Sequence, residues 1–243
     1  MAVLLALFLG VTHWWGTQVY LKSQLLTAYG LVFRWRNLQD MLRGLGIGLA
    51  SVFLLFIVEG IMGWVVWLPP QSVLIKVAGE GLFIGLFVGF GEELLFRGWL
   101  LYELEKDYQP WVALSVSSIF YAVLHYIRPP DEVLRILPGF PGLVLLGFTL
   151  VWAKWTTVGQ EAIASSGRLG LPMGLHAGLV WGSYLIYVGG WIEVSQKVPD
   201  WVTGIDQNPI AGLSGLLLLS GIAVYMWQRS HTPTPNKLMK SKS

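Results

Sequence analysis

The chain has 243 residues, of which 54% are hydrophobic and 12% charged, with a mean hydropathy of +0.60 and a formal net charge of +2. Soluble domains carry about 25% charged residues, so this composition cannot cover a water-facing surface and points to a polytopic helical membrane protein. There is no cysteine, which excludes disulfides, thiolate metal sites and a cysteine nucleophile.

The expected fold is all-α, a polytopic transmembrane helix bundle of about seven spans, at roughly 1–21, 44–68, 73–102, 109–127, 134–153, 171–190 and 208–228. A helix needs about 20 apolar residues to cross the hydrocarbon core. The first span lacks a basic start and an A-x-A cleavage site, so it reads as a retained helix rather than a signal peptide. Segments 22–43, 103–108, 154–170 and 229–243 hold eleven of the sixteen Lys and Arg residues. The positive-inside rule makes these segments cytoplasmic and puts the N-terminus outside. Residues 1–228 read as one integral membrane domain, and 229–243 as a basic, disordered cytoplasmic tail. No nucleic-acid partner is expected.

The third span, "SVLIKVAGEGLFIGLFVGFGEELLFRGWLLYEL", is longer than a bilayer requires and must tilt or extend past it. Gly81, Gly85 and Gly89 recur every fourth residue, forming a groove where a neighbouring backbone can approach closely. Glu93 and Arg97 are four apart with the acid first, the favoured order for a pair on one helix face. Glu92 points about 100° away and is not locked into that pair. A charged residue near the bilayer centre costs at least about 2.5–3.5 kcal/mol. A second acid beside a satisfied pair therefore suggests a group that takes and gives protons. The structural alternative is a neutral Glu92 hydrogen-bonded to a backbone carbonyl.

Span four ends on His125 in "SSIFYAVLHY", and span six carries His176 in "LGLPMGLHAGLVWGSY". On straight, full-length spans Glu92, His125 and His176 do not share a depth. Either the boundaries shift by several residues, or the third helix extends inward and tilts. Two carboxylates and two imidazoles can activate water and stabilise an oxyanion. Glu92, His125 and His176 can also be read as ligands of a divalent metal such as zinc, although no H-E-x-x-H is present. No G-x-S-x-G occurs, and Ser117–Ser118 and Ser165–Ser166 read as packing and loop residues.

"EELLFRG" resembles the E-E-x-x-x-R motif of the CAAX protease and bacteriocin-processing (CPBP, or Abi) family of intramembrane proteases. "YAVLH" resembles its F-x-x-x-H motif, with Tyr121 in place of Phe, and "GLHAGLVWG" its H-x-x-x-N motif. The three occur in order, each on its own apolar span, within about 80–190. The resemblance implies that Glu92 activates the attacking water and that His125 holds it. It implies that His176 supports the oxyanion side, while Glu93 and Arg97 fix the helix and orient the site. The implied substrates are membrane-embedded or lipid-modified, either prenylated CAAX proteins or bacteriocin-like peptides.

One position departs from the motif: Val180 stands where the family has Asn, and valine donates no hydrogen bond. Trp181 N–H or Ser183 could substitute. Val180 also keeps open a second function class, a non-catalytic membrane scaffold or chaperone with a protease fold. A transporter reading lacks the symmetric broken helices that would support it. Among the other polar residues, Lys76 and Glu80 are spaced to pair, Glu59 has no evident partner, and Glu161 and Arg168 of the 156–170 loop read as solvated.

Overall fold

The computed structural model describes residues 2–20, 25–69, 73–159 and 166–232. Of the tail expected to be disordered over 229–243, residues 229–231 are helical, while 233 onward, together with Glu161 and Ser165, falls outside the described residues. The chain runs α1 (Ala2–Gln18), α2 (Leu25–Ala28), α3 (Trp35–Ile61), α4 (Leu74–Glu93), α5 (Leu101–Asp107), α6 (Pro110–Leu124), α7 (Pro130–Ile136), α8 (Phe140–Trp155), α9 (Gly170–Tyr187), α10 (Asp200–Thr203) and α11 (Leu213–His231). A π-helical stretch, Leu94–Leu100, joins α4 to α5 without a break. Two short strands, β1 (Val65–Trp67) and β2 (Ile192–Val194), pair antiparallel with Val66 opposite Glu193. They tie the C-terminal end of α3 to that of α9.

By length and composition, three helices are able to cross a bilayer among the described residues: Trp35–Ile61, Leu74–Asp107 and Pro130–Trp155. The other four expected spans are the shorter helices α1, α6, α9 and α11. Apolarity alone does not separate burial against lipid from burial against protein. In α9, eleven of eighteen residues are buried between its neighbours. By contrast α3, α4 and α6 expose apolar faces, with Ile61, Phe83 and Trp111 each at least 70% exposed, as lipid-facing surfaces do.

Helix α9 is held in two glycine seams. A Cβ at Gly85 would lie 2.6 Å from the Ala177 carbonyl oxygen, and one at Gly89 2.7 Å from that of Met173. The Gly81–Gly89 groove expected from the sequence is therefore filled by α9, which runs antiparallel to α4. On its other side, Gly174 and Gly178 of α9 meet the α3 backbone at Met41 and Leu45, while Gly44 and Gly48 meet the α9 backbone. Such seams let backbones pack by dispersion where lipid offers no hydrophobic drive. Gly178→Leu is expected to lower the melting temperature in detergent or abolish folding, since overpacking costs about 1–3 kcal/mol or more. Gly46→Leu on α3, where a side chain meets open space, should leave the melting temperature unchanged.

The conflict in depth resolves through α5 and α6. Past Glu93 the continuous helix runs on to Asp107, an arm of about 20 Å at 1.5 Å per residue. Gln109 is extended and Pro110 opens α6, proline being well suited to the first helical position. Helix α6 has 15 residues and climbs back about 22 Å, so His125 at its end returns to the level of Glu93.

Candidate active site

The site forms where the end of α4, the π-helical stretch, α6 and α9 meet. Glu93 is fully buried, and its Oε1 accepts from Arg97 Nη1 at 3.0 Å and lies 2.9 Å from His176 Nδ1. A carboxylate acceptor fixes the proton of His176 on Nδ1 and leaves Nε2 as the second face of the ring. That Nε2 lies 3.9 Å from Glu92 Oε2, with the Glu92 side chain 22% exposed. Glu92 Oε2 has no hydrogen-bond partner among the described residues. At 3.9 Å the two groups make no direct hydrogen bond, and the gap is one that a water can bridge.

Arg97, 1% exposed, also donates through Nη2 to the Gly147 carbonyl at 3.3 Å, and its guanidinium carbon sits 4.3 Å from the Tyr121 ring centre. Tyr121 is the wedge of the site. Its ring centre is 4.6 Å from that of His125, 6.3 Å from that of His176 and 5.1 Å from that of Phe96. His125 places Nδ1 2.8 Å from the Tyr121 carbonyl. That bond makes Nδ1 the donor and leaves Nε2 able to accept a proton or hold a water.

Within the π-helical stretch, the Leu101 N–H bonds to the Phe96 carbonyl and so reaches past Arg97. The Arg97 carbonyl instead takes a hydrogen bond from Lys154 Nζ at 2.6 Å, and Lys154 is fully buried. Single π-turns inside helices recur at functional sites, and here the irregular turn carries the arginine of the motif. Lys154 thus anchors α8 to the helix that presents both glutamates. In the sequence it stands among the loop charges of 154–170, although one lysine closing an apolar run is a signal of burial. Lys154→Met is expected to leave a buried carbonyl without its donor, a cost of about 1–3 kcal/mol read as a lower melting temperature.

All six residues singled out for the site, Glu92, Glu93, Arg97, Tyr121, His125 and His176, converge here. Among the described residues no group of three His, Asp or Glu side chains is placed to hold a metal ion. Glu92, His125 and His176 are not placed as such a group among the described residues. The Trp181 indole is committed elsewhere, donating to the Ala78 carbonyl at 3.0 Å. Val180 and Ser183 line, with His176, an apolar cavity of about 300 Å³ whose wall also includes Leu146, Leu179 and Asn208.

Several remaining polar residues have partners. Lys76 and Glu80 pair at 3.8 Å. Glu59 accepts from Ser214 Oγ at 2.6 Å, a partner 155 residues away that the sequence could not indicate. Arg168 corrects an expectation: it is 2% exposed rather than solvated, and its Nε and Nη2 both bond to Asp40 Oδ2, at 2.9 and 2.6 Å. Asp40 lies within the first turns of α3 and recruits the arginine as α9 packs on α3.

Residues 74–182 match a family model described as type II CAAX prenyl endopeptidase Rce1-like. No curated protein and no solved structure matches the chain. The matched segment contains both glutamates, Arg97, Tyr121, both histidines and Val180. The match, over somewhat under half of the chain, supports a CPBP-family intramembrane protease of the CAAX type.

Proposed function

We propose that the protein is an intramembrane endopeptidase that hydrolyses a peptide bond of a prenylated CAAX-type protein or a bacteriocin-like peptide, in or near the bilayer. One observation carries this reading: a buried Glu93–Arg97–His176 network aims an imidazole at a partly exposed Glu92 whose Oε2 has no partner among the described residues. Glu92 takes a proton from a water held with His125, and the resulting hydroxide attacks the scissile carbonyl carbon. The tetrahedral intermediate then loses the amine as the C–N bond breaks, and Glu92 returns the proton to that nitrogen. General acid–base catalysis of this kind contributes about 10²–10⁴-fold. Glu93 holds His176 in one tautomer, and Arg97 balances the buried carboxylate. Helices α1, α6, α9 and α11 complete a bundle of about seven segments, with the basic tail on the cytoplasmic side.

A second reading rests on Val180. It lines the cavity beside His176, and the neighbouring indole is engaged with Ala78. A site without an oxyanion donor loses about 10²–10³ in turnover, and such a chain would serve as a non-catalytic scaffold or chaperone. The two readings separate in liposomes carrying membrane-anchored peptides, prenylated ones included. The protease reading expects cleavage by the wild type as well as by Val180→Asn. Cleavage by Val180→Asn alone would establish the scaffold reading.

A further inference from the structure

A second cavity, of about 330 Å³, opens at the end of the bundle where α3 and α9 begin and α8 and α11 end. Its charged wall consists of Arg36, Asp40 and Arg43 from the first turns of α3, Arg168 from the approach to α9, and Arg229 from the last turn of α11. Two helix starts and two helix ends meet there, so their dipoles oppose one another and the side chains set the field. Among the described residues, four arginines face one carboxylate. Asp40 is committed to Arg168 through two hydrogen bonds, and it lies 3.8 Å from Arg43. Arg36 and Arg229 make no ion pair among the described residues and remain exposed. The buried Asp40–Arg168 pair acts as a fixed floor, and among the described residues the excess positive charge, from Arg36 and Arg229, stands around the opening.

The surroundings of this cavity suit a membrane interface. Phe33 is 89% exposed and Trp35 68% exposed beside Arg36, and Leu38 and Leu42 continue the exposed apolar face along α3. On α11, Trp227 is also exposed next to Arg229. Aromatic residues of this kind sit at headgroup level, where a basic pocket between helices meets lipid phosphate. Arginine suits that role because its planar fork matches two phosphate oxygens at once.

We propose that this cavity binds a phosphate anion, carried by the headgroup of an anionic phospholipid or free in solution. Arg36, Arg43 and Arg229 contact the phosphate, and the Asp40–Arg168 pair holds α3 and α9 in register beneath it. The site is distinct from the glutamate–histidine centre and does not depend on the function assigned to that centre.

The test is binding to the full-length protein in neutral detergent. Native mass spectrometry reads lipid adducts with phosphatidylglycerol and with phosphatidylcholine, and calorimetry reads inorganic phosphate. The variants are R36A/R229A and, as a control for bulk charge, R128A/R135A, all four at exposed positions. The wild type is expected to retain phosphatidylglycerol roughly tenfold better than phosphatidylcholine, a preference lost in R36A/R229A and kept in R128A/R135A. If the two lipids bind alike but inorganic phosphate binds the wild type and not R36A/R229A, the phosphate site stands and its ligand is the free anion. Equal binding of both lipids with no phosphate binding overturns the proposal, as does a lipid preference that survives R36A/R229A. Melting curves showing that R36A/R229A is folded are part of the same experiment.

Discussion

Glu92→Gln is expected to lower turnover by about 10²–10⁴-fold, the usual contribution of a positioned general base, while leaving folding and substrate affinity intact. The amide preserves the size of the side chain but cannot take a proton. Glu92 is partly exposed, and no other described side chain bonds to its Oε2, so little structural energy rides on its charge. The fall should appear in kcat with KM nearly unchanged, as for an interaction made only in the transition state. Cleavage at the wild-type rate would remove Glu92 from the chemistry.

Arg97→Met is expected to be the most damaging single change to stability. It removes the cation 3.0 Å from Glu93 while that carboxylate stays fully buried. It also removes the donor to the Gly147 carbonyl on α8 and the cation on the Tyr121 ring. Breaking one side of a buried ion pair costs about 3–5 kcal/mol, enough to unfold a protein of ordinary stability. The measurement is thermal melting in detergent, with Arg97→Met compared against the double variant Arg97→Met/Glu93→Met. If the penalty comes from the stranded carboxylate, the double variant should recover part of the loss. Equal melting temperatures for both variants would place the cost in packing instead.

Much of the site is legible in the sequence because its chemistry is local there. Glu93 and Arg97 are four residues apart on one helix, and that spacing alone implies the pair found at 3.0 Å. The three motifs also name the helices that meet. What the sequence does not show is the path that brings them to one depth. Span four reads as a full crossing because its composition is apolar, whereas α6 has 15 residues and starts from the arm that α5 extends past Glu93. A π-turn leaves no mark in the pattern of apolar residues, so Lys154, which serves a carbonyl 57 residues away in the chain, reads as one more loop charge. Arg168 looks solvated for the same reason, its partner Asp40 being 128 residues away. The α3 seam is a different case. Gly170, Gly174, Gly178 and Gly182 repeat every fourth residue, as Gly81, Gly85 and Gly89 do, and the same rule applied to them places α9 between two helices.

The most direct test of the central claim works without an identified substrate. Membrane fractions from cells expressing the wild type or Glu92→Gln at equal levels can be compared by quantitative mass spectrometry of protein termini. An intramembrane protease dependent on Glu92 predicts new C-termini on membrane-anchored or lipid-modified proteins with the wild type, absent with the variant. Identical termini in the two fractions would contradict it.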